Sequence, residues 1–376
     1  MPFTRRALFA LPVVSAFVLA ACGRRRKGTG YRGYAFVANQ DGNSIAAVDL
    51  EVLAVARHIP LEGSPIQVVT DQTRPAIYAL TANNGMVHEI AADSLRLTRK
   101  LAVASSALGM HLATDASALY VLARDPKALI KVRLDSFTVE WKLPLPEEPV
   151  DFAVAPVQEN LVAPVAAVSF ASGVRLVDLA QRKLRNPAGP GNFGAVRFLD
   201  DARTLMAANR SQNVLSVYDV ASSQLISHLP LSLRPDNLCA NADGGQLFVT
   251  GAGMDAVVVV YPYHTPVVAG TVLAGHVPGA MAASQQYLFV ANPQSASVSI
   301  LEIASRKMIA SVSVGSEPCG IVITPDDQLA LVLNRMSGDI SVLRVGAITK
   351  NRDRRASLLT VIPVGSKPVS AVVRGA

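Results

Sequence analysis

Histidine, cysteine and acidic side chains are the groups through which this sequence could hold a metal ion or perform acid–base chemistry. The six histidines are spread along the chain without the short spacings of a metal site, at His58, His88, His111, His228, His264 and His276. The sequence contains no HExxH, CxxC, GxSxG or CxxCH pattern, the spacings that bring ligands or a nucleophile together locally. We therefore expect no metal site and no catalytic group within a local motif, so any site must be assembled by the fold.

A repeat organises the chain. One large apolar strand residue recurs at Phe36, Tyr78, Tyr120, Met206, Phe248, Phe289 and Leu331. The successive gaps are 42, 42, 86, 42, 41 and 42 residues, and the gap of 86 covers two units, with Ala167-Val168-Ser169 as the missing strand. One unit, Tyr287 to Pro325, contains four short Val- and Ile-rich runs bounded by Asn, Pro, Ser or Gly. Four strands at this period are typical of a β-propeller blade.

The ends of the chain predict a closed ring. The first unit begins with its second strand, Tyr34 to Asn39, whereas the chain ends on an unpaired inner strand, Pro368 to Val373. Pairing these two strands would remove two exposed sheet edges. We predict one all-β domain over residues 34–376, an eight-bladed β-propeller of four-stranded antiparallel blades closed by the C-terminal strand. Seven blades is the alternative if the irregular fourth unit is degenerate.

Polar side chains recur where inner strands begin and second strands end, and antiparallel pairing places both sets on one rim. The candidate binding residues of this rim are Asn39, Gln67, Arg124, Asp151, Asn209, Arg210, Asn237, Asn334 and Arg335. Asparagine at a strand end commonly caps a turn, whereas repeated arginines suit a carboxylate or phosphate. His111, on an inner strand, is either a hydrogen-bonded wall residue or an axial ligand or acid–base group.

Several strands carry a recognisable spelling. Phe36-Val37-Ala38-Asn39, Phe248-Val249-Thr250-Gly251 and Phe289-Val290-Ala291-Asn292 resemble the Tyr-Val-Thr-Asn (YVTN) family of β-propeller repeats of bacterial lipoproteins. The likeness extends from Tyr34 to Val373 and implies the fold. It implies little about function, because the family's motif residues build the blades.

Propellers similar to this family include sugar lactonases and the haem-binding propellers of nitrite reductases and their maturation lipoproteins. A lactonase would need a carboxylate, a histidine and an arginine converging at the central funnel, and the candidates here are Asp151, His111 and Arg124. A haem protein would depend on His111.

The first residues have the features of an export signal. Arg5 and Arg6 precede an apolar run from Ala7 to Ala20 that is too short to span a bilayer. Leu19-Ala20-Ala21-Cys22-Gly23 resembles a bacterial lipoprotein cleavage box, in which the cysteine thiol receives diacylglycerol and a palmitate-type acyl chain follows. We expect a signal peptide at 1–21, a lipidated Cys22 and a tether over 22–33, with export by the general or the twin-arginine route.

The distribution of charge supports a membrane partner over a nucleic acid. Arg24, Arg25, Arg26 and Lys27 follow the lipidation site and would meet anionic head groups. The formal charge of +7 falls to +5 without Arg5 and Arg6, and the tether holds most of the remainder. Because the propeller is then nearly neutral, we expect no nucleic-acid binding.

The cysteines within the propeller are not expected to pair. Cys239 and Cys319 fall on inner strands two blades apart, and a disulfide needs Cα atoms within about 7 Å. We predict two buried free thiols.

The sequence favours a non-enzymatic protein without a cofactor. It would be lipid-anchored in the bacterial cell envelope, face the periplasm, and bind a protein, glycan or small ligand on its axial rim. The alternative is a propeller enzyme or cofactor protein, either a lactonase-like hydrolase or a haem-binding propeller.

Overall fold

The computed structural model describes residues 28–71, 73–156, 164–263, 265–348 and 357–375. Within these ranges, 32 strands form eight separate four-stranded antiparallel sheets. The expected signal peptide, Cys22 and the basic residues Arg24 to Lys27 lie outside the described residues. The prediction of an eight-bladed all-β propeller is confirmed.

The strands have four roles, and each role occurs once in every blade from 1 to 8. The inner strands, in blade order, are β32 (Pro368–Gly375), β4 (Pro65–Thr70), β8 (Ser106–Leu112), β12 (Pro149–Val154), β16 (Phe193–Phe198), β20 (Arg234–Ala240), β24 (Met281–Ala283) and β28 (Pro318–Ile323). The second strands are β1 (Gly33–Asn39), β5 (Ala76–Thr81), β9 (Ala118–Asp125), β13 (Val165–Phe170), β17 (Thr204–Asn209), β21 (Leu247–Ala252), β25 (Tyr287–Asn292) and β29 (Leu329–Asn334).

The third strands, in the same blade order, are β2 (Ser44–Asp49), β6 (Met86–Ala91), β10 (Ala128–Arg133), β14 (Gly173–Asp178), β18 (Val214–Asp219), β22 (Ala256–Tyr261), β26 (Ser297–Glu302) and β30 (Asp339–Arg344). The outer strands are β3 (Ala54–Pro60), β7 (Arg96–Ala102), β11 (Thr138–Pro144), β15 (Lys183–Pro190), β19 (Leu225–Pro230), β23 (Val267–Leu273), β27 (Lys307–Ser313) and β31 (Leu358–Pro363). Short 3₁₀ turns lie at Pro293–Ser295 and Val345–Ala347. No helix in the described ranges is long and apolar enough to cross a membrane.

The C-terminal strand closes the ring, as the sequence predicts. Strand β32 pairs antiparallel with β1, with Phe36 opposite Val372 and Gly33 opposite Gly375. Blade 1 therefore has the order β3-β2-β1-β32 and joins both ends of the propeller. The irregular fourth unit is also a complete blade, because β15 pairs with β14 through two register shifts.

The core consists of eight hydrophobic clusters, one between each pair of neighbouring blades of the described chain. Strand β1 shows how the sequence builds them. Phe36 and Ala38 pack toward blade 2, while Ala35 and Val37 pack toward blade 8. Successive strand residues point to opposite faces, so a run of apolar residues buries both faces of a sheet between two neighbours.

The inner strands are the exception to this burial. Strands β5, β13, β25 and β29 are buried at every residue, whereas β20, β24 and β28 are half-exposed along most of their length. Because the inner strands surround the axis of the ring, this exposure defines a central channel that solvent can reach.

Candidate functional site

The rim on which inner strands begin and second strands end is called the upper rim; it carries all nine candidate rim residues. The opposite, lower rim carries the turns that join third to outer strands. Residues 28 and 29 lie on the lower rim, where the Thr29 hydroxyl donates a hydrogen bond of 2.6 Å to the Leu50 carbonyl. The Thr29 amide also donates to the Glu51 carbonyl, at 3.1 Å. The chain therefore enters the propeller on the side opposite the candidate rim.

Three of the four candidate asparagines of the upper rim, Asn39, Asn209 and Asn334, are buried and hydrogen-bonded by their side chains. Asn39 donates from Nδ2 to the Val364 carbonyl at 2.7 Å. Asn334 donates from Nδ2 to Asp339 Oδ1 at 2.6 Å and to Ser341 Oγ at 2.9 Å. Asn39 therefore holds the linker between outer strand β31 and inner strand β32, whereas Asn334 holds the turn between β29 and β30 in its own blade.

Asn209 in blade 5 holds the turn between β17 and β18, as Asn334 holds the equivalent turn in blade 8. It is buried, and its Oδ1 accepts hydrogen bonds from the amide and hydroxyl of Ser211. Its Nδ2 donates to Gln212 Oε1 at 3.2 Å. All three asparagines hold a turn or a linker, which is one of the two roles that their position at strand ends allowed.

The recurrent glycine of the linkers is explained by these asparagines. A Cβ atom on Gly365 would lie 2.8 Å from Asn39 Nδ2, and Gly365 has φ +129°. A Cβ atom on Gly315 would lie 2.7 Å from Asn334 Nδ2. The glycine provides the space that the buried amide occupies, and at Gly365 also a backbone conformation that side chains disfavour.

Gln67 and Asp151 connect neighbouring inner strands. Gln67 Oε1 accepts a hydrogen bond of 2.7 Å from the Met110 amide in the next blade. Asp151 Oδ2 accepts one of 3.1 Å from the Val196 amide, and Ser370 Oγ accepts one of 3.2 Å from the Val68 amide. These three acceptors lie at equivalent positions of their blades, directly after a register shift of the inner strand. Asn237 has the equivalent position in blade 6 and is half-exposed.

The three candidate arginines are each paired with a protein carboxylate. Arg124 Nε lies 2.9 Å from Glu148 Oε1, Arg210 Nε lies 2.6 Å from Asp236 Oδ1, and Arg335 Nη1 lies 2.8 Å from Glu317 Oε1. In each pair the carboxylate belongs to a linker or to the start of an inner strand. The six side chains are between 27% and 57% exposed. Each pair therefore contributes only about 0–1 kcal/mol to the stability of the fold.

Further contacts of a basic or imidazole side chain with a carboxylate continue this arrangement around the upper rim. Lys367 pairs with Asp41 at 3.5 Å, and His276 Nδ1 lies 2.7 Å from Asp255 Oδ2. Lys100 also pairs with Glu62. The upper rim therefore presents alternating charges in weak, solvent-exposed pairs, which a charged partner can exchange at little cost.

His111 faces the channel from β8. Its Nε2 lies 3.1 Å from the Phe152 carbonyl oxygen, and its ring meets the Phe152 ring edge-on with centroids 4.7 Å apart. One side of the imidazole faces the channel. The surrounding strands nevertheless desolvate the ring, which lowers the pKa of His111 below the ordinary 6.5. The hydrogen bond to Phe152 offsets only part of this decrease in pKa. The neutral ring donates through Nε2 and leaves the lone pair on Nδ1.

The three residues considered for hydrolysis do not act on one another. Burial raises the pKa of Asp151, and the amides of Val196 and Phe152 together with the Arg210 guanidinium oppose the rise. The cation that acts on Asp151 is thus Arg210, while Arg124 pairs with Glu148. His111 bonds to a backbone carbonyl instead of to either of the other two.

Two channel residues were not among the sequence candidates. Pairing places Arg197 opposite Met206, and Cys239 opposite Phe248, just as His111 stands opposite Tyr120. The three therefore lie at the same level of the channel. We call the recurrent large apolar residue of each second strand its marker residue. The sequence signal was the spacing, because His111, Arg197 and Cys239 each precede the marker residue of their blade by nine positions. Both propeller cysteines are free, as predicted, and they are half-buried where full burial was expected.

Within the described chain, no three His, Cys, Asp or Glu side chains form a group that could hold a metal ion.

Fold and site together define a closed eight-bladed β-propeller with a charged upper rim and an axial channel. No protein-family model matches the chain, and no curated protein matches its sequence. Many solved structures share the fold. Dihydro-haem d1 dehydrogenase NirN, in complex with DHE, aligns with a TM-score of 0.70 and 12% identity over 90% of this chain and 75% of that one.

Two further structures align over almost their whole length. Apo AztD from Citrobacter koseri aligns with a TM-score of 0.68 and 14% identity over 92% of this chain and 99% of that one. A protein of unknown function from Desulfotomaculum acetoxidans aligns with a TM-score of 0.61 and 10% identity over 91% of this chain and 99% of that one. At these identities the similarity establishes the β-propeller fold.

Proposed function

We propose that this chain is a lipid-anchored, non-enzymatic binding module of the bacterial cell envelope that docks a protein partner on its upper rim. The observation that carries the proposal is the ring of exposed ion pairs, above all Arg124–Glu148, Arg210–Asp236 and Arg335–Glu317. Because such pairs contribute little to folding, their repetition on one rim fits recognition by a surface with complementary charges, which steers association and sets specificity.

The position of the N-terminal segment supports the anchored orientation. Residues 28 and 29 are bound to the lower rim by the hydrogen bonds to Leu50 and Glu51. Five residues lie between Cys22 and Gly28, and the six residue-to-residue steps that join them span about 20 Å when extended. An acyl chain on Cys22 would hold the lower rim near the bilayer, with Arg24 to Lys27 beside the head groups, and would leave the upper rim open to the periplasm.

Photo-crosslinking from the two rims tests the docking face. Met336 follows Arg335 on the upper rim and is 71% exposed, while Val52 lies on a lower-rim turn and is 67% exposed. With a photoreactive amino acid at either position in intact cells, we expect a discrete crosslinked protein from position 336 and none from position 52. Adding Arg210→Glu and Arg335→Glu should abolish it. An identical product from both positions, or one insensitive to the charge reversals, would contradict the proposal.

The anchor has its own test. Labelling cells with a palmitate analogue should mark the protein, and Cys22→Ala should remove both the label and the partition into the detergent phase. Labelling that persists in Cys22→Ala would remove the anchor from the proposal and leave the rim untouched.

A haem-binding propeller is the second candidate, and a specific observation favours it. A histidine that ligates a metal usually donates its other ring N–H to a carbonyl or carboxylate, and His111 already donates from Nε2 to Phe152. The neutral Nδ1 would then be the ligand that His111 offers to an iron in the channel. Haemin titration should give a Soret shift that His111→Ala abolishes and His228→Ala retains. Absence of any spectral change would exclude this candidate.

A further inference from the structure

The channel has a polar half and an apolar half at the level of His111. Eight inner-strand residues, one per blade, lie at this level. Each pairs with the marker residue of its second strand, or in blade 4 with Ala167, which occupies the same position. In the order of blades 1 to 8 they are Val372, Val69, His111, Ala153, Arg197, Cys239, Ala282 and Val322. The valines lie on blades 8, 1 and 2, while imidazole, guanidinium and thiol lie on blades 3, 5 and 6.

Arg197 has the most distinctive surroundings of this set. Its neighbours Val196 and Phe198 are buried in the core between blades 4 and 5, so strand alternation turns Arg197 toward blade 6. There its charge acts on Cys239. The side chain is half-exposed, and within the described part of the chain no carboxylate lies within ion-pair distance of it.

The surrounding groups leave the charge of Arg197 available. Asp151, one layer nearer the upper rim, responds to Arg210 and bonds to the Val196 amide. His111 has a lowered pKa because of burial and is neutral at pH 7. Cys239 is likewise a neutral thiol, because burial raises its pKa while Arg197 opposes the rise only in part.

The wall that faces Arg197 has the opposite character. In a closed ring of eight, blade 1 lies across the axis from blade 5, so Val372 stands opposite Arg197, with Val69 and Val322 on either side of it. These valines are half-exposed, and the rest of each side chain packs against a core between blades. A fully hydrated anion would gain nothing from them, whereas an alkyl chain would be removed from water by about 25 cal/mol per Å² of buried apolar surface.

We propose that the axial channel is a binding site for a small aliphatic carboxylate, whose carboxyl group pairs with the Arg197 guanidinium and whose alkyl chain lies against Val372, Val69 and Val322. Arg197 supplies the planar donors that fit a carboxylate, and Cys239 provides a polarizable neighbour. The site is separate from the upper rim and does not depend on the docking of a protein there.

A matched pair of ligands tests the site on the unaltered protein. Calorimetric titration of the full mature chain in detergent, with empty micelles as the reference, compares hexanoate with 1-hexanol. The two share an alkyl chain and differ in charge. We expect single-site saturation by hexanoate and at least tenfold weaker binding of 1-hexanol. Equal affinities, or no saturation by hexanoate below about 10 mM, would overturn the proposal.

Substitutions assign the binding to Arg197. A charge-assisted hydrogen bond contributes enough that Arg197→Gln should weaken hexanoate by ten- to a hundredfold and leave 1-hexanol unchanged. Arg197→Lys should retain only part of the affinity, because it keeps the charge but loses the planar donors, and Arg210→Gln, on the upper rim, should have no effect. Unchanged hexanoate binding in Arg197→Gln would overturn the assignment, while loss of rim crosslinking with hexanoate binding intact would count only against the protein-docking function.

Discussion

Replacing His88 by isoleucine should remove a pH-dependent loss of folding stability that arises in blade 2. His88 is the third residue of β6 and is completely buried, and neither ring nitrogen makes a well-aligned hydrogen bond within the described chain, although the Ala79 and Met86 carbonyls lie near the ring. Burial lowers the pKa of His88 below its ordinary 6.5, and the nearby carbonyls of Ala79 and Met86 and the Glu62 carboxylate offset only part of this. Ile130 occupies the equivalent position of β10 and is also buried, which shows that the blade accommodates isoleucine there.

The direction of the pH effect follows from the lowered pKa. Above pH 6.5 His88 is neutral in both the folded and the unfolded chain, so its contribution does not depend on pH. Below pH 6.5 the unfolded chain binds a proton more readily than the folded one, and stability falls until the pH reaches the folded-state pKa. The unfolding free energy of the wild-type protein should therefore decrease on acidification from pH 6.5.

The magnitude at neutral pH comes from the poorly satisfied ring nitrogens. A buried polar group without a partner costs about 1–3 kcal/mol, and because two carbonyls lie near the ring, His88→Ile should be more stable than the wild type by about 1 kcal/mol at pH 7.5. Below pH 6.5 the difference should widen, because isoleucine cannot be protonated. His111, whose pKa is also lowered by burial, should retain its share of the pH dependence in the variant.

Urea denaturation at pH 7.5, 6.5, 5.5 and 5.0 measures both effects. His58→Gln is the matched control, because His58 is exposed on outer strand β3 and its removal changes the histidine count without emptying the core. If the unfolding free energies of wild type and His88→Ile fall in parallel below pH 6.5, the buried imidazole is not the source of the acid sensitivity.

Three further perturbations address the ring itself. Gly365→Ala places a Cβ atom 2.8 Å from the buried Asn39 Nδ2 at a residue with φ +129°. It should lower the unfolding free energy in urea denaturation by about 1–3 kcal/mol. Gly270→Ala is the control, because that glycine has open space around it, and it should change the unfolding free energy by less than about 1 kcal/mol. Deleting residues 366–376 removes the closing strand β32 and should abolish cooperative unfolding in circular dichroism; a cooperative transition would contradict closure. Cys239 and Cys319 have pKa values raised by burial and are half-buried, so they should react with Ellman's reagent more slowly in the folded protein than after denaturation. Non-reducing mass analysis should find no bond between them.

The number and order of the blades were predictable because each blade repeats one physical requirement. A sheet packed on both faces needs apolar residues at nearly every position of its second strand, and this density marks the strand at Phe36, Tyr78 and Phe289. The unpaired inner strand at Pro368 then identified its partner, because one blade lacked that strand. These inferences use local composition and spacing, which the chain displays directly.

The roles of the rim residues were not predictable in the same way. Asn39 bonds to a carbonyl 325 residues away, and Gln67 satisfies a backbone amide in the next blade. The sequence predicted that these side chains share one rim, where the structure places them, and left two roles open for each. Only the positions of their partners decide between them, since a polar group that is satisfied inside the protein is not available to a ligand.

The order of strands, the closed ring and the face on which polar residues gather were determined by the sequence alone, since burial and turn formation act on neighbouring residues. The pairing of Arg210 with Asp236, the availability of the Arg197 charge and its position across the axis from Val372 were decided by tertiary structure. The physical reason is that electrostatic interactions depend on distance and burial in three dimensions, and the eight inner strands, spread from residue 65 to residue 375, surround one axis only when the ring closes.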